Sequence, residues 1–248
     1  MDFVFTSDLD WASEYCIEDL LGVANRFSLK PTLFVTHRSD AVRAALRSGR
    51  VTPAIHPNFR PGSDHGDDVP SVMNSILQIV PNALYFRSHH FFDSPEIAAI
   101  LPKHGLKVDS NVCRHLASGL SATILENGLL RLPVFFEDDV HWVEGREWNF
   151  AKYADIFFGP GLKVMNFHPF FVALNVPDAD FYRRHKHFIR TLTAEQAARL
   201  RYRGPGPRTF LLEAVQAIYA RKHQFISLGE LAAQFSAVPA STSAEPRG

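Results

Sequence analysis

Short apolar runs alternate with longer segments of helical spacing along the first two-thirds of the chain. The intervals of helical spacing predict helices at 11–27, 39–46, 69–80 and 95–104. The short runs predict seven strands, at 3–6, 31–37, 51–56, 83–87, 106–109, 129–136 and 162–167. A strand, a helix and then another strand, repeated in this way, favours parallel strands joined by right-handed crossovers.

Turn and capping residues support these boundaries. Ser39 or Asp40 would cap the helix that runs through Leu46, and Ser94 is a good cap that precedes a proline at the first helical position. The segment 57–68 is rich in Pro, Gly, Asn and Asp, which predicts a loop. Pro133 is expected to interrupt the sixth strand, because proline cannot donate to a sheet.

The last part of the chain predicts a helix at 210–220, a strand at 224–227 and a helix at 229–235. The final residues, 237–248, are rich in Ala, Ser and Pro and are predicted to be disordered. We therefore predict one α/β domain over residues 1–236, an irregular (β/α) barrel of about seven parallel strands, followed by a disordered tail.

Composition excludes several classes of protein. Among 248 residues, 26 basic side chains balance 26 acidic ones, so a nucleic-acid partner, which needs a basic face, is not expected. Two cysteines are too few for a disulfide framework. Met1 leads almost directly into the first strand, and no run of 18 apolar residues occurs. This pattern predicts a cytoplasmic protein without a membrane span.

Polar residues follow most of the predicted strands at their carboxyl ends. These residues are Asp8, Asp10, His56, Arg87, His89, Asp109, the acidic trio at 137–139 and His168. In a parallel barrel the carboxyl ends of the strands converge on the face that carries active sites. We therefore expect these side chains to lie together and to form a hydrolytic site.

Carboxylate and imidazole groups together suit a divalent metal that activates water. A second carboxylate can take the proton of that water, and a histidine can protonate the leaving amine. Other interpretations stay open: Asp8 or Asp10 could cap the helix near Trp11, and 137–139 could be a solvated loop. Asp109 could also be a partner that orients a histidine.

These residues resemble the motifs of the polysaccharide deacetylases, the NodB-homology carbohydrate esterases. Thr6-Ser7-Asp8-Leu9-Asp10 is similar to the family's paired aspartates with one residue inserted. The second motif has two histidines four residues apart; His56 matches the first, whereas Arg60 stands at the second position. The segments 55–59 and 63–66 resemble a divergent branch found in bacterial O-antigen biosynthesis, as does 109–111.

The resemblance implies a role for each matching residue. Asp8 would be the general base, Arg87 its partner and His168, in Asn166-Phe167-His168-Pro169, the general acid. The metal ligands would be Asp10, His56 and, from the longer loop, His65. The metal is expected to be zinc, with cobalt or nickel as alternatives. For substrate contacts we predict Asp109, His89, Arg60 and Trp142.

The predicted function is removal of N-acetyl groups from sugars, with an N-acetylated sugar or oligosaccharide precursor as partner. Two alternatives stay open: a metal-dependent hydrolase of another amide on the same fold, and a carbohydrate-binding relic without activity. The presence of Asp8 argues against the relic, because a binding protein needs no general base.

Overall fold

The computed structural model describes residues 1–236, and the predicted disordered tail, 237–248, lies outside the described residues. The strands are β1 Asp2–Asp8, β2 Thr32–Val35, β3 Thr52–Ile55, β4 Tyr85–Phe86, β5 Val108–Asp109, β6 Thr123–Ile124, β7 Leu130–Arg131, β8 Val134–Glu137, β9 Lys163–Asn166 and β10 Gln224–Ile226.

Helices fill most of the connections between the strands. They are α1 Glu14–Arg26, α2 Asp40–Arg47, α3 Val69–Ile79, α4 Pro95–Ile100, α5 Asp138–Val143, α6 Ala154–Phe158, α7 Pro169–Leu174, α8 Ala179–His185, α9 Ala194–Leu200, α10 Pro207–Ala220 and α11 Leu228–Ser236. Short 3-10 turns lie at His89–Phe91, Pro102–His104, Phe150–Tyr153 and Lys186–Phe188. Within residues 1–236 no helix combines the length and the apolar character needed to cross a bilayer.

The strands form one curled sheet in the order β6-β7-β5-β4-β3-β2-β1-β9-β8, with β10 added to β1. The neighbouring pairs are parallel except β6 with β7. Beyond β5, a parallel bridge joins Cys113 to Val134, and the N–H of Val134 donates to the carbonyl of Val112 at 2.8 Å. The predicted (β/α) barrel is thereby confirmed as a mostly parallel sheet curled into a half-barrel.

The predicted strand at 129–136 is two strands that pair with different neighbours. Residues 130–131 pair with β5, whereas 134–137 pair with β9. Pro133 lies between the two segments, where the chain changes partner and a missing N–H is tolerated. The sequence pattern gave no sign of β6, because this antiparallel strand has two residues and both are exposed.

Side chains of β1 alternate between two buried layers. Val4 packs in the cluster that contains Phe34 of β2 and Val164 of β9. Phe3 and Phe5 point to the opposite face and join a cluster with residues of α1 and α10. Because both faces of β1 are buried, its first half has three consecutive apolar residues, 3–5, rather than an alternating pattern.

Phe210 of α10 lies in the cluster that contains Phe3 and Phe5. Its truncation is expected to have a large effect on the stability of the protein. The side chain is fully buried, and its ring stacks on Phe136 with centroids 4.8 Å apart and planes at 8°. We expect Phe210→Ala to lower the free energy of unfolding by roughly 3–5 kcal/mol. Ile124→Ala, at a side chain that is 66% exposed, should change it by less than about 0.5 kcal/mol. Urea unfolding measures both values, and equal effects would contradict this packing.

Candidate active site

The end of β1 turns sharply and presents two aspartates to one place. Asp10 and Trp11 have φ angles of 43° and 55°, in the left-handed region that non-glycine residues seldom adopt. The N–H of Trp11 donates to Thr36 Oγ1 at 3.0 Å, which holds this turn. The cap of α1 is Ser13, whose hydroxyl accepts from the N–H of Cys16. Neither Asp8 nor Asp10 is therefore needed as a cap.

Asp10, His56 and His89 form a cluster that could hold a metal ion. Oδ1 of Asp10 lies 3.1 Å from His56 Nε2 and 3.1 Å from His89 Nδ1. His56 Nδ1 donates to the carbonyl of Arg87 at 2.8 Å, so Nε2 is the ring nitrogen that faces Asp10. Burial alone would raise the pKa of Asp10, but hydrogen bonds from both histidines and the charge of His168 hold this pKa well below its usual value. Two imidazole nitrogens and one carboxylate oxygen are a donor set that zinc accepts.

His65 does not join this cluster, contrary to the expectation from the sequence. Its Nε2 donates to the carbonyl of Thr36 at 2.7 Å, and its Nδ1 accepts from the N–H of Asn58 at 3.0 Å. Both ring nitrogens are thus occupied: Nε2 fastens the loop 57–68 to the residue after β2, and Nδ1 joins two residues of the loop itself. His89, predicted as a substrate contact, is the third member of the cluster; it closely follows β4, which pairs with β3.

Arg87 is fully buried and fixes the orientation of Asp8. Its Nη1 donates to Asp8 Oδ1 at 2.7 Å, while Nε and Nη2 donate to the carbonyl and the hydroxyl of Ser110 at 3.1 and 2.9 Å. The second oxygen, Asp8 Oδ2, lies 3.7 Å from His56 Nε2. One carboxylate oxygen is therefore held by the arginine, and the other faces the histidine cluster.

His168 reaches the same cluster from the end of β9. Its N–H and Nδ1 both donate to the carboxylate of Asp138, at 2.9 and 2.6 Å, and its Nε2 lies 3.6 Å from Asp10 Oδ2. Burial alone would lower the pKa of His168, but the charge and hydrogen bond of Asp138, aided by Asp10 and Asp139, raise this pKa well above its usual value. These interactions favour the charged imidazolium, whose Nε2 faces the cluster.

The acidic trio at 137–139 is mostly buried, so its interpretation as a solvated loop was wrong. Asp138 is fully enclosed and is the partner of His168, a role that the sequence analysis did not assign. Burial, with the charges of Asp139 and Asp8, raises the pKa of Glu137 well above its usual value. Burial also raises the pKa of Asp139 to about 6. The sequence feature that indicates this burial is the place of the three residues in the chain, because they lie at or directly after the end of a buried strand.

The structure places the remaining predicted substrate contacts, Trp142, Asp109 and Arg60, in different surroundings. Trp142 lines a cavity of about 390 Å³ that also borders Asp10, His89 and His168. Asp109 is buried and is bound by Arg131 at 2.8 and 3.1 Å, so it supports the sheet edge instead of facing substrate. Arg60 is exposed on the loop 57–68 and does not line this cavity.

The pairing of His168 with Asp138 predicts a shift that can be measured in metal-free protein. Asp138→Asn removes the charge that raises the pKa of His168, so this pKa should fall, and Asp139→Asn should have a smaller effect. In wild type, the stabilisation from the raised pKa is present below about pH 6.5 and is lost as pH rises through that pKa. NMR titration of the histidine ring protons measures the shift. An unchanged pKa in Asp138→Asn would contradict the pairing.

Comparisons with known proteins identify the family of this chain. The model of the family "WbmS-like: Polysaccharide deacetylase" matches residues 5–186. The chain is similar to the crystal structure of WbmS from Bordetella bronchiseptica, a candidate polysaccharide deacetylase involved in O-antigen biosynthesis. The identity is 25%, the TM-score is 0.77, and the match covers 88% of this chain and 90% of that one.

A 4-α-glucanotransferase from Thermococcus litoralis shares the fold alone, with 11% identity, a TM-score of 0.53, and coverage of 95% of this chain and 39% of that one. Comparison with curated protein sequences gives no match. Since the family model spans most of the chain, including Asp8, Asp10, His56, Arg87 and His168, the chain belongs to the WbmS-like polysaccharide deacetylases.

Proposed function

We propose that the protein is a metal-dependent hydrolase that removes N-acetyl groups from sugars during bacterial surface-polysaccharide (O-antigen) biosynthesis. One observation carries the proposal: Asp8, held by Arg87, and His168, held by Asp138, approach the Asp10–His56–His89 cluster together. A general base and a general acid therefore lie beside a candidate metal site, as amide hydrolysis requires. The relation to WbmS supports the O-antigen pathway.

Asp10, His56 and His89 would hold the metal, with zinc favoured and cobalt or nickel as alternatives. When bound, such an ion lowers the pKa of water and polarises the scissile carbonyl. The donor set fits this role, because His56 is already oriented through its Nδ1 hydrogen bond to the carbonyl of Arg87.

The side chains around this cluster divide the proton transfers between them. Asp8 Oδ2 takes a proton from the attacking water, while Arg87 keeps Oδ1 in place. His168 gives its Nε2 proton to the leaving amine nitrogen, since Asp138 stabilises the imidazolium until that moment. Burial raises the pKa of Glu137, which favours its uncharged form and so limits the negative charge beside Asp8.

We propose a small N-acetylated sugar precursor as substrate. The cavity of about 390 Å³ has the size of a small-molecule site and is lined in part by Trp11 and Trp142, whose rings suit the faces of sugars. Arg60 on the nearby loop could pair with a phosphate or carboxylate of such a substrate. The cytoplasmic location remains a prediction from the sequence.

The ligand assignment predicts different outcomes for three histidines of this region. His89→Ala and His56→Ala should weaken zinc binding more than about tenfold, because each removes a ligand. His65→Ala should bind zinc about as wild type does, although the loop 57–68 loses two hydrogen bonds. Calorimetric titration of chelator-treated protein measures the affinities, with His187→Ala as a surface control. Zinc binding that depends on His65 and not on His89 would refute the assignment.

The role of Asp8 predicts a separation of metal binding from turnover. Asp8→Asn should keep zinc affinity within about threefold, because Asp8 is not among the proposed ligands. Its rate should fall by roughly 10²–10⁴, since the water loses its base. The measurement is acetate release from a panel of free and UDP-linked N-acetylated sugars, with exposed Asp67→Asn as the matched control. If the variant retains more than about a tenth of the wild-type rate, Asp8 is not the base.

A further inference from the structure

Basic side chains are concentrated in one segment beside the proposed active site. Residues 183–190 include three arginines and one lysine, all exposed, and no acidic residue. The whole chain has equal numbers of basic and acidic side chains, so this segment is a local excess of positive charge. Tyr182 and Ile189, at the two ends of the segment, line the cavity of about 390 Å³ beside the reaction centre. The basic segment is therefore part of the surroundings of this cavity.

Arg190, the last residue of this segment, lies beside Trp11, which also lines the cavity. Its guanidinium carbon is 5.6 Å from the centre of the Trp11 ring. The backbone on both sides of Arg190 is held by Ser13, whose N–H donates to the carbonyl of Ile189 at 2.7 Å and whose hydroxyl donates to the carbonyl of Leu192 at 2.8 Å. The side chain of Arg190 therefore starts from a fixed position at the rim of the cavity.

The guanidinium of Arg190 is available to a ligand. Its Nη2 contacts Oδ2 of Asp64 in the loop 57–68, and the two side chains are 61% and 52% exposed. Exposed ion pairs contribute little free energy, because water screens both charges. A guanidinium also has several N–H donors, and the contact with Asp64 is made through one nitrogen. A ligand anion can therefore replace Asp64 or bind beside it at small cost.

Acidic side chains lie at the reaction centre, on the inner side of the cavity. Asp10 and Asp139 line both this cavity and the smaller one, of about 150 Å³, that borders Asp8 and His56. An anionic group of a substrate is repelled by these carboxylates and attracted by a guanidinium at the rim. A sugar with its N-acetyl group at the reaction centre therefore places an anionic substituent outwards, toward Arg190.

We propose that Arg190 binds an anionic group attached to the N-acetylated sugar and that the basic segment 183–190 attracts this substrate to the cavity. The inference rests on the proposed function and adds the charge of the substrate and the residue that recognises it. The anion is a phosphate ester or a carboxylate, since both pair with a guanidinium through two N–H groups. The field of the segment speeds the association of anions and is weakened by salt.

The first experiment compares acetate release from a neutral probe, N-acetylglucosamine, with release from two anionic probes, N-acetylglucosamine-1-phosphate and N-acetylglucosaminuronate. In wild type, kcat/KM should be at least about fivefold higher for one anionic probe than for the neutral sugar, because a charge-assisted hydrogen bond is gained. The probe that gains identifies the anion as phosphate or carboxylate. Raising the salt concentration from about 50 mM to about 500 mM should reduce the ratio of anionic to neutral hydrolysis. Equal values of kcat/KM for all three probes would overturn the proposal.

Two substitutions separate anion binding from a structural tie between Arg190 and the loop 57–68. Arg190→Gln should lower the ratio of anionic to neutral hydrolysis at least about threefold, because the guanidinium is lost. Asp64→Asn should raise this ratio, because it removes the carboxylate that competes for Arg190. A structural tie would instead make both substitutions affect neutral and anionic probes alike. A ratio that Arg190→Gln leaves unaltered, or that falls in both variants, would overturn the proposal.

Arg199→Gln is the matched control. Arg199 is also exposed and also paired with a carboxylate, that of Glu195 in its own helix. Its replacement removes one positive charge from the surface, as Arg190→Gln does, and should leave the ratio of anionic to neutral hydrolysis within about 1.5-fold of wild type. Equal losses in Arg190→Gln and Arg199→Gln would attribute the effect to overall charge and would contradict a site at Arg190. Each ratio is measured within one preparation, so partial unfolding of a variant does not alter it.

Failure of this inference and failure of the proposed function give different results. If acetate is released equally from neutral and anionic probes, the function stands and the anion site does not. Binding without turnover is measured by tryptophan fluorescence, since Trp11 lies beside Arg190. If no probe is hydrolysed, yet an anionic probe binds more tightly than the neutral sugar and loses this gain in Arg190→Gln, the anion site stands and the deacetylase assignment does not.

Discussion

The buried ion pair between Arg87 and Asp8 is the constraint on which the rest of the site depends. Arg87 has no exposed surface, and the face of its guanidinium lies 4.0 Å from the ring centre of Phe34. A buried guanidinium without its partners would be strongly destabilising, so its bonds to Asp8 and Ser110 fix the ends of β1 and β5 relative to β4. The carbonyl of the same residue orients His56. One residue thus positions both the proposed base and a proposed metal ligand.

The second ion pair, between Asp138 and His168, repeats this arrangement on the other side of β1. Each pair consists of a cation and a carboxylate buried at the carboxyl ends of the strands, and each leaves one reactive atom facing the Asp10 cluster. Burial raises the pKa of Glu137, and the uncharged form that this favours limits the negative charge in the site. Two compensated pairs therefore allow an acid and a base to coexist a few ångströms apart.

The positions of these side chains follow from the parallel sheet. Since β3, β2, β1 and β9 are neighbours, residues that follow them meet at one edge although they lie far apart in the chain. The left-handed backbone at Asp10 and at His90 is a local cost that this arrangement sustains, and both residues lie at or beside proposed ligands. Aromatic residues of α5, α7 and α8 then enclose the space next to the cluster.

The sequence by itself determined the alternation of strands and helices, the parallel barrel and the positions of Asp8, Asp10, His56, Arg87 and His168, because buried strands have apolar patterns and their ends carry unusual polar residues. It could not choose between His65 and His89, since that choice depends on hydrogen bonds with the carbonyl of Thr36 and the N–H of Asn58, which occupy both nitrogens of His65. It also could not assign Asp138 or Asp109, whose partners, His168 and Arg131, are brought to them only by the packing of the sheet. Local patterns report which face of an element is buried, whereas the partner of a buried polar group is decided by tertiary structure.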